Sequence, residues 1–102
     1  MDKSQVLEKV TQYTVLVSKK IKPKKVVLYG SFAKGTWKEG SDIDIAVIVD
    51  VVEGDFLEME AMLYKLRRNV DDRIEPVLLE ENSDESGFLK EILKHGQVIY
   101  SI

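Results

Sequence analysis

Cysteine is absent from the 102 residues, and proline, histidine and tryptophan are scarce at two, one and one. Without cysteine there is no disulfide, no thiolate metal site and no thiol redox chemistry. No apolar run approaches the roughly 20 residues of a membrane span, and the opening MDKSQVLEKV lacks the apolar core of a secretory signal. No membrane partner and a cytoplasmic location are therefore expected. A basic excess is missing too. The formal net charge is -3, which disfavours an extended nucleic-acid surface, because such surfaces take most of their affinity from Lys and Arg neutralising phosphates. No internal repeat or low-complexity segment interrupts the chain. What remains, 44% hydrophobic and 32% charged, fits one compact domain over residues 1–102, with no room for a second substrate-binding domain.

The periodicities place the elements. From Ser4 to Lys20, Val6, Val10, Tyr13 and Val17 recur at helical spacing, and Pro23 follows the helix they predict. The β-branched run KKVVLYG, ending at Gly30, predicts a first strand, and a polar loop to Ser41 follows. DIDIAVIV, residues 42–49, alternates only at its acidic end and is then apolar on both faces, as in a central strand covered on two sides. Asp55 and Glu58 form an expected capping box for a helix with Phe56, Met59, Leu63 and Leu66 on one face, ending near Val70. RIEPVLL predicts a third strand, in which Pro76 favours a sheet edge or a strand end. SDESGFLKEILKHG predicts a last helix with Phe88, Leu89, Ile92 and Leu93 inward and Gly96 as its stop, and QVIYSI a closing strand.

Within that frame GSFAKGTWKEGSDIDIAV, residues 30–47, carries the chemistry. Asp42 and Asp44, two apart at the mouth of a strand, point to one face. Two like charges there repel, and a hard divalent cation, with Mg²⁺ the natural candidate, is the usual relief. Gly30 lets backbone N–H groups approach a ligand and Ser31 adds a hydroxyl, a combination suited to phosphate. The ten residues from Phe32 to Ser41 are enough to bring the phosphate-binding turn beside the acids.

Gly-Ser, ten residues, then Asp-x-Asp running into a strand resembles the polymerase-beta-like nucleotidyltransferases, and at this length the minimal nucleotidyltransferases. The resemblance covers nearly the whole chain. It implies an α+β fold, a small mixed sheet packed against helices, with Gly30 and Ser31 holding the triphosphate of ATP. It also implies two Mg²⁺ ions on Asp42, Asp44 and a third carboxylate from the next core strand. Glu75 is the sole acid within that strand, where the family more often has aspartate; Asp71 or Asp72 is the alternative. Lys34 stands where the family often has a basic residue for phosphate, or is simply solvated. Minimal nucleotidyltransferases of this kind are commonly paired with a helical HEPN protein, an RNase toxin, and silence it by attaching AMP to a tyrosine. Composition and spacing by themselves support only nucleotidyl transfer. Two other readings stand beside it: a non-catalytic module that occludes a helical partner, and a nucleotidyltransferase for a small metabolite or RNA end whose acceptor pocket comes from another subunit.

Five further residues have plainer readings. Trp37 is expected to cover a core edge more than to stack on a base, and His95 to suit the helix C-terminus it ends. Met59 and Met62, with Leu63, read as core or partner surface.

Overall fold

The computed structural model describes residues 1–102. Helix α1 (Lys3–Ser18) leads into β1 (Lys25–Tyr29), a one-turn helix α2 (Ser31–Lys34), β2 (Ile43–Val49) and α3 (Phe56–Leu66). A 3₁₀ turn (Arg67–Asn69), β3 (Ile74–Glu80), α4 (Phe88–His95) and β4 (Gln97–Ser101) complete the chain. The strand order is β3-β2-β1-β4. β1 runs antiparallel to β2 and β4, whereas β2 and β3 are parallel. Parallel neighbours need a crossover, and α3 supplies it. The expected α+β architecture with a small mixed sheet is the one observed.

Each face of β2 meets a different core. Ile43, Ile45, Val47 and Val49 turn toward α1 and α3 and pack with Val6, Val10, Tyr13, Val17 and Leu63. Ala46 and Ile48 turn the other way and pack with Val27, Leu89 and Ile92. The double burial explains why DIDIAVIV loses its alternation after Asp44. Within the larger core the Tyr13 hydroxyl donates to the Leu63 carbonyl at 2.6 Å, tying α1 to α3, and burial pushes its phenol above the ordinary range. Pro76 lies in β3, an edge strand, where a missing ladder donor is tolerated.

The ends of elements depart from expectation. The polar loop after Gly30 begins with α2, because buried Phe32 anchors it and Lys3 Nζ donates to the Phe32 carbonyl at 2.9 Å. Trp37 stacks on Phe32 with ring centroids 5.4 Å apart and covers the core edge, as expected. Helix α1 starts one residue before Ser4, fixed by a full capping box between Asp2 and Gln5. At α3 only half of the expected capping box forms: Asp55 accepts from the Glu58 amide at 3.1 Å, and the Glu58 side chain makes no return bond to the Asp55 amide. Phe56, in the first turn of α3, stays exposed at the helix end. The last helix is shorter than the sequence suggests. It begins at Phe88, with the Asp84 carboxylate accepting from the Leu89 and Lys90 amides. An eight-residue helix buries one narrow stripe, Leu89 and Ile92, and leaves Phe88 and Leu93 exposed rather than inward.

Candidate active site

Three strands bring three polar side chains into line. Asp44 pairs with Tyr29 of β1 on one side and with Glu75 of β3 on the other. Register neighbours share a face, so all three point to the α4 side, at the end of the sheet where β1 finishes and β2 and β3 begin. Helix α4 packs over Val27, Ala46 and Ile48, and its Phe88 meets Tyr29 edge-on with centroids 5.8 Å apart. Asp42 lies just before β2 and is exposed; Asp44 and Glu75 are half-buried.

The acids feel one another. Burial raises the Asp44 carboxyl above the ordinary carboxylate range, and the charges of Asp42 and Glu75 raise it further. The same cluster acts on Tyr29, whose phenol is pushed up to about 12, first by burial and then by Asp44, Tyr64 and Glu75. None of the four salt bridges in the molecule involves Asp42 or Asp44.

Gly30 makes this crowding possible. Its φ of +73° lies in the region that favours glycine, and a Cβ there would overlap Asp44 Oδ2 and stand 3.1 Å from Asp44 Cγ. Ser31 opens α2 directly beyond the turn, so the first amides of that helix, which have no intrahelical partners, begin beside Asp44. Lys34 is exposed in the last turn of α2, and a hollow of about 150 Å³ runs from Tyr29, Gly30 and Lys34 to Phe88, Ile92 and His95. A larger hollow, about 600 Å³ between Lys20–Lys24 and Val49–Glu53, lies at the opposite end of the sheet, away from the acids.

Glu75 and Asp71 differ in their partners. Glu75 Oε1 accepts from Arg67 Nη1 and its Oε2 from the Tyr64 hydroxyl, both at 3.1 Å. The Arg67 guanidinium also lies 5.0 Å from the centroid of the Tyr64 ring and donates to the Ile74 carbonyl at 3.0 Å. Asp71 is taken up elsewhere. It accepts from Lys9 at 2.9 Å and from Arg73 at 2.8 Å, and these contacts, Arg73 first, hold its carboxyl well below the usual range. Asp72 is exposed in the turn before β3. At the far side of the hollow, His95 pairs with Glu91 at 3.2 Å.

The donor chemistry fits a hard divalent cation: carboxylate oxygens from chain positions two apart, mutual repulsion, and a neighbouring residue with no Cβ. No three acidic or histidine side chains stand together at metal-ligand spacing. Asp42 and Asp44 have no ion-pair partner, whereas Glu75 is paired with the Arg67 guanidinium. Sequence reasoning missed Tyr29, Tyr64 and Arg67. Tyr64 and Arg67 are three apart at the end of the crossover helix, a spacing that puts both on one helical face before the acidic strand.

Comparison with known proteins identifies the family. Residues 8–102 match the family model described as polymerase beta, nucleotidyltransferase. A candidate protein adenylyltransferase of Methanocaldococcus jannaschii is 31% identical over 78 residues, covering 76% of this chain and 78% of that one. Among solved structures, a candidate nucleotidyltransferase from Sulfolobus solfataricus superposes with a TM-score of 0.71 at 17% identity, over 97% of this chain and 83% of that one. A mutant of the toxin–antitoxin MntA–HpeT follows at 0.65 and 23%, over 90% and 72%, and a toxin–antitoxin with AMP-PNP at 0.62 and 18%, over 100% and 75%. These likenesses describe the fold, and none of the helices is long and apolar enough to cross a membrane. With the family model covering all but the first seven residues, and the Gly-Ser turn packed against the second of the paired aspartates, the chain belongs to the polymerase beta nucleotidyltransferase family.

Proposed function

We propose that this chain is a Mg²⁺-dependent nucleotidyltransferase that moves AMP from ATP to a hydroxyl of a protein, a tyrosine on a HEPN-type RNase toxin, and thereby acts as its antitoxin. The observation that carries the transfer chemistry is the contact between Gly30 and Asp44, which sets a phosphate-suited turn against a repelling carboxylate cluster. The protein acceptor is supported by the M. jannaschii relative, named for protein adenylyl transfer, and the antitoxin role by two structural neighbours that are toxin–antitoxin proteins, one holding AMP-PNP. All activity is assigned here to one domain spanning residues 1–102.

In this reading Gly30 and the amides that open α2 hold the triphosphate, the Ser31 hydroxyl adds a donor, and Lys34 faces its charge from the last turn of α2. Asp42, Asp44 and Glu75 would hold two Mg²⁺ ions, which would neutralise the phosphates, ease deprotonation of the acceptor and steady the leaving group. The acceptor oxygen bonds to the α-phosphorus as the bond to the β-phosphate oxygen breaks, and pyrophosphate departs. Glu75, fixed by Arg67, stands on the strand next to Asp44 and receives the acceptor side of the reaction. The hollow beside Gly30, lined by Tyr29, Phe88 and Ile92, accommodates an apolar part of the nucleotide.

Co-expression with a HEPN partner, followed by mass spectrometry, tests this reading: AMP units on a partner tyrosine are expected. An unmodified partner alongside extended RNA ends would move the acceptor from protein to nucleic acid. Occlusion without catalysis has one observation in its favour, the exposed Phe56 and Leu57 on α3. It would appear as an unmodified partner still inhibited by an Asp42→Ala variant.

A further inference from the structure

We infer that Tyr64 is itself an acceptor, so that the chain adenylylates its own α3 in cis. The inference rests on the transferase reading above and adds a modification site to it. An acceptor tyrosine must present its hydroxyl to solvent, so that its proton can leave, and must be held within reach of the reacting phosphorus. Tyr64 is 41% exposed, and its hydroxyl donates to Glu75 Oε2 at 3.1 Å. Glu75 is the register neighbour of Asp44, and adjacent strands lie about 4.8 Å apart, so an α-phosphate held at the Asp42–Asp44 pair is within a side-chain length of the Tyr64 oxygen. The Arg67 guanidinium over the ring limits where that oxygen can go.

The other tyrosines lack this setting. Tyr13 is fully buried with its hydroxyl on the Leu63 carbonyl, and Tyr100 sits on β4 opposite Val26, nearer the other end of the sheet. Tyr29 lies beside Asp44 but is half-buried under Phe88 and bonds to no carboxylate. Tyr64 alone places a phenol on an acid of the site.

The step balances. Tyr64 Oη bonds to the α-phosphorus, its proton passes to water at the exposed side of the ring, the bond to the β-phosphate oxygen breaks, and pyrophosphate leaves. The product carries AMP where an external acceptor would have to approach, so modified molecules turn over other acceptors more slowly.

The test uses the full chain alone with α-labelled ATP and Mg²⁺, read by intact mass and peptide mapping, beside calorimetric titration of Mg²⁺ with a non-hydrolysable ATP analogue. One AMP on Tyr64 is expected, absent from Tyr64→Phe, formed at a fractional rate that does not change with protein concentration. If the analogue binds but Tyr64 stays unmodified, or another residue carries the label, self-modification is wrong while the transferase reading stands. A rate proportional to protein concentration would mean transfer between copies and overturn the cis geometry. If no analogue binds, the transferase reading falls and this inference with it.

Discussion

Gly30 and Asp44 occupy one another's space: a methyl group on Gly30 would overlap the Asp44 carboxylate. The glycine is thus required by a protein side chain as well as by any ligand. Gly30→Ala should cost about 2 to 4 kcal/mol through its positive φ and this overlap, lowering Tm by roughly 10 °C or more. It should also displace Asp44 and abolish Mg²⁺-ATP binding. A melting curve and a calorimetric titration check both halves.

Asp44 should behave oppositely to a structural acid. Its folded pKa is raised, so the folded chain binds more protons than the unfolded chain in the window above the ordinary carboxylate range, and stability falls as pH rises through it. Asp44→Asn removes that penalty and should raise Tm slightly at pH 7 while reducing AMP transfer at least about a hundredfold. The wild type should also gain about 2.7 kcal/mol from Mg²⁺-ATP at a hundred times its Kd, and Asp42→Asn and Asp44→Asn should gain almost nothing. Thermal shift with and without Mg²⁺-ATP reads the difference.

Asp71 gives the reverse sign. Its folded pKa is depressed by Arg73 and Lys9, so its contribution is present above the unfolded value and lost as pH falls below about 4 toward the folded one. Asp71→Asn should cost about 1 to 3 kcal/mol and flatten the acid limb of the stability curve, with nucleotide binding retained. Loss of binding in this variant would instead move the third carboxylate from Glu75 into the turn.

Glu75→Gln keeps size and loses charge, so transfer should fall far more than ATP affinity. Glu75→Asp should retain partial activity, its carboxylate one methylene short of Arg67 and Tyr64. Steady-state kinetics beside analogue titration separates the two effects.

Gly96→Ala tests the thin cover on the second face. A Cβ there would stand 2.6 Å from Val27 Cγ1 and from the Ile92 carbonyl oxygen, both fixed. Overpacking of about 1 to 3 kcal/mol should loosen α4 from β1, seen as faster amide exchange at Leu89 and Ile92.

Much of this was legible in the sequence because it is local. The Gly-Ser turn, the Asp42–Asp44 pair and the doubly buried strand depend on neighbours a few residues away. Glu75 was legible as the sole acid of its strand, but its pairing with Asp44 depends on parallel register, which no short window encodes. Tyr64, on α3, and Arg67, in the 3₁₀ turn after it, carry no local signal of a role; only the crossover brings them to Glu75. The inward assignment of Phe88 and Leu93 failed because periodicity reports a face, whereas the width of that face depends on the length of α4.

The parallel pairing of β2 and β3 also determines where this molecule can vary. Asp44 faces Glu75 through a ladder running from Ile43–Ile74 to Val49–Glu80, so the span between the two acids, Asp50 to Arg73, can lengthen at its turns without separating them. A slip of one residue in the ladder would instead turn Glu75 into the packed core and bring Ile74 out to replace it. Loop insertions near Gly54 should thus be silent, while a single deletion within β3 should erase the site from a protein that still folds its helices. The chemistry is held in the register of two strands, and the connection between them is free to become something else.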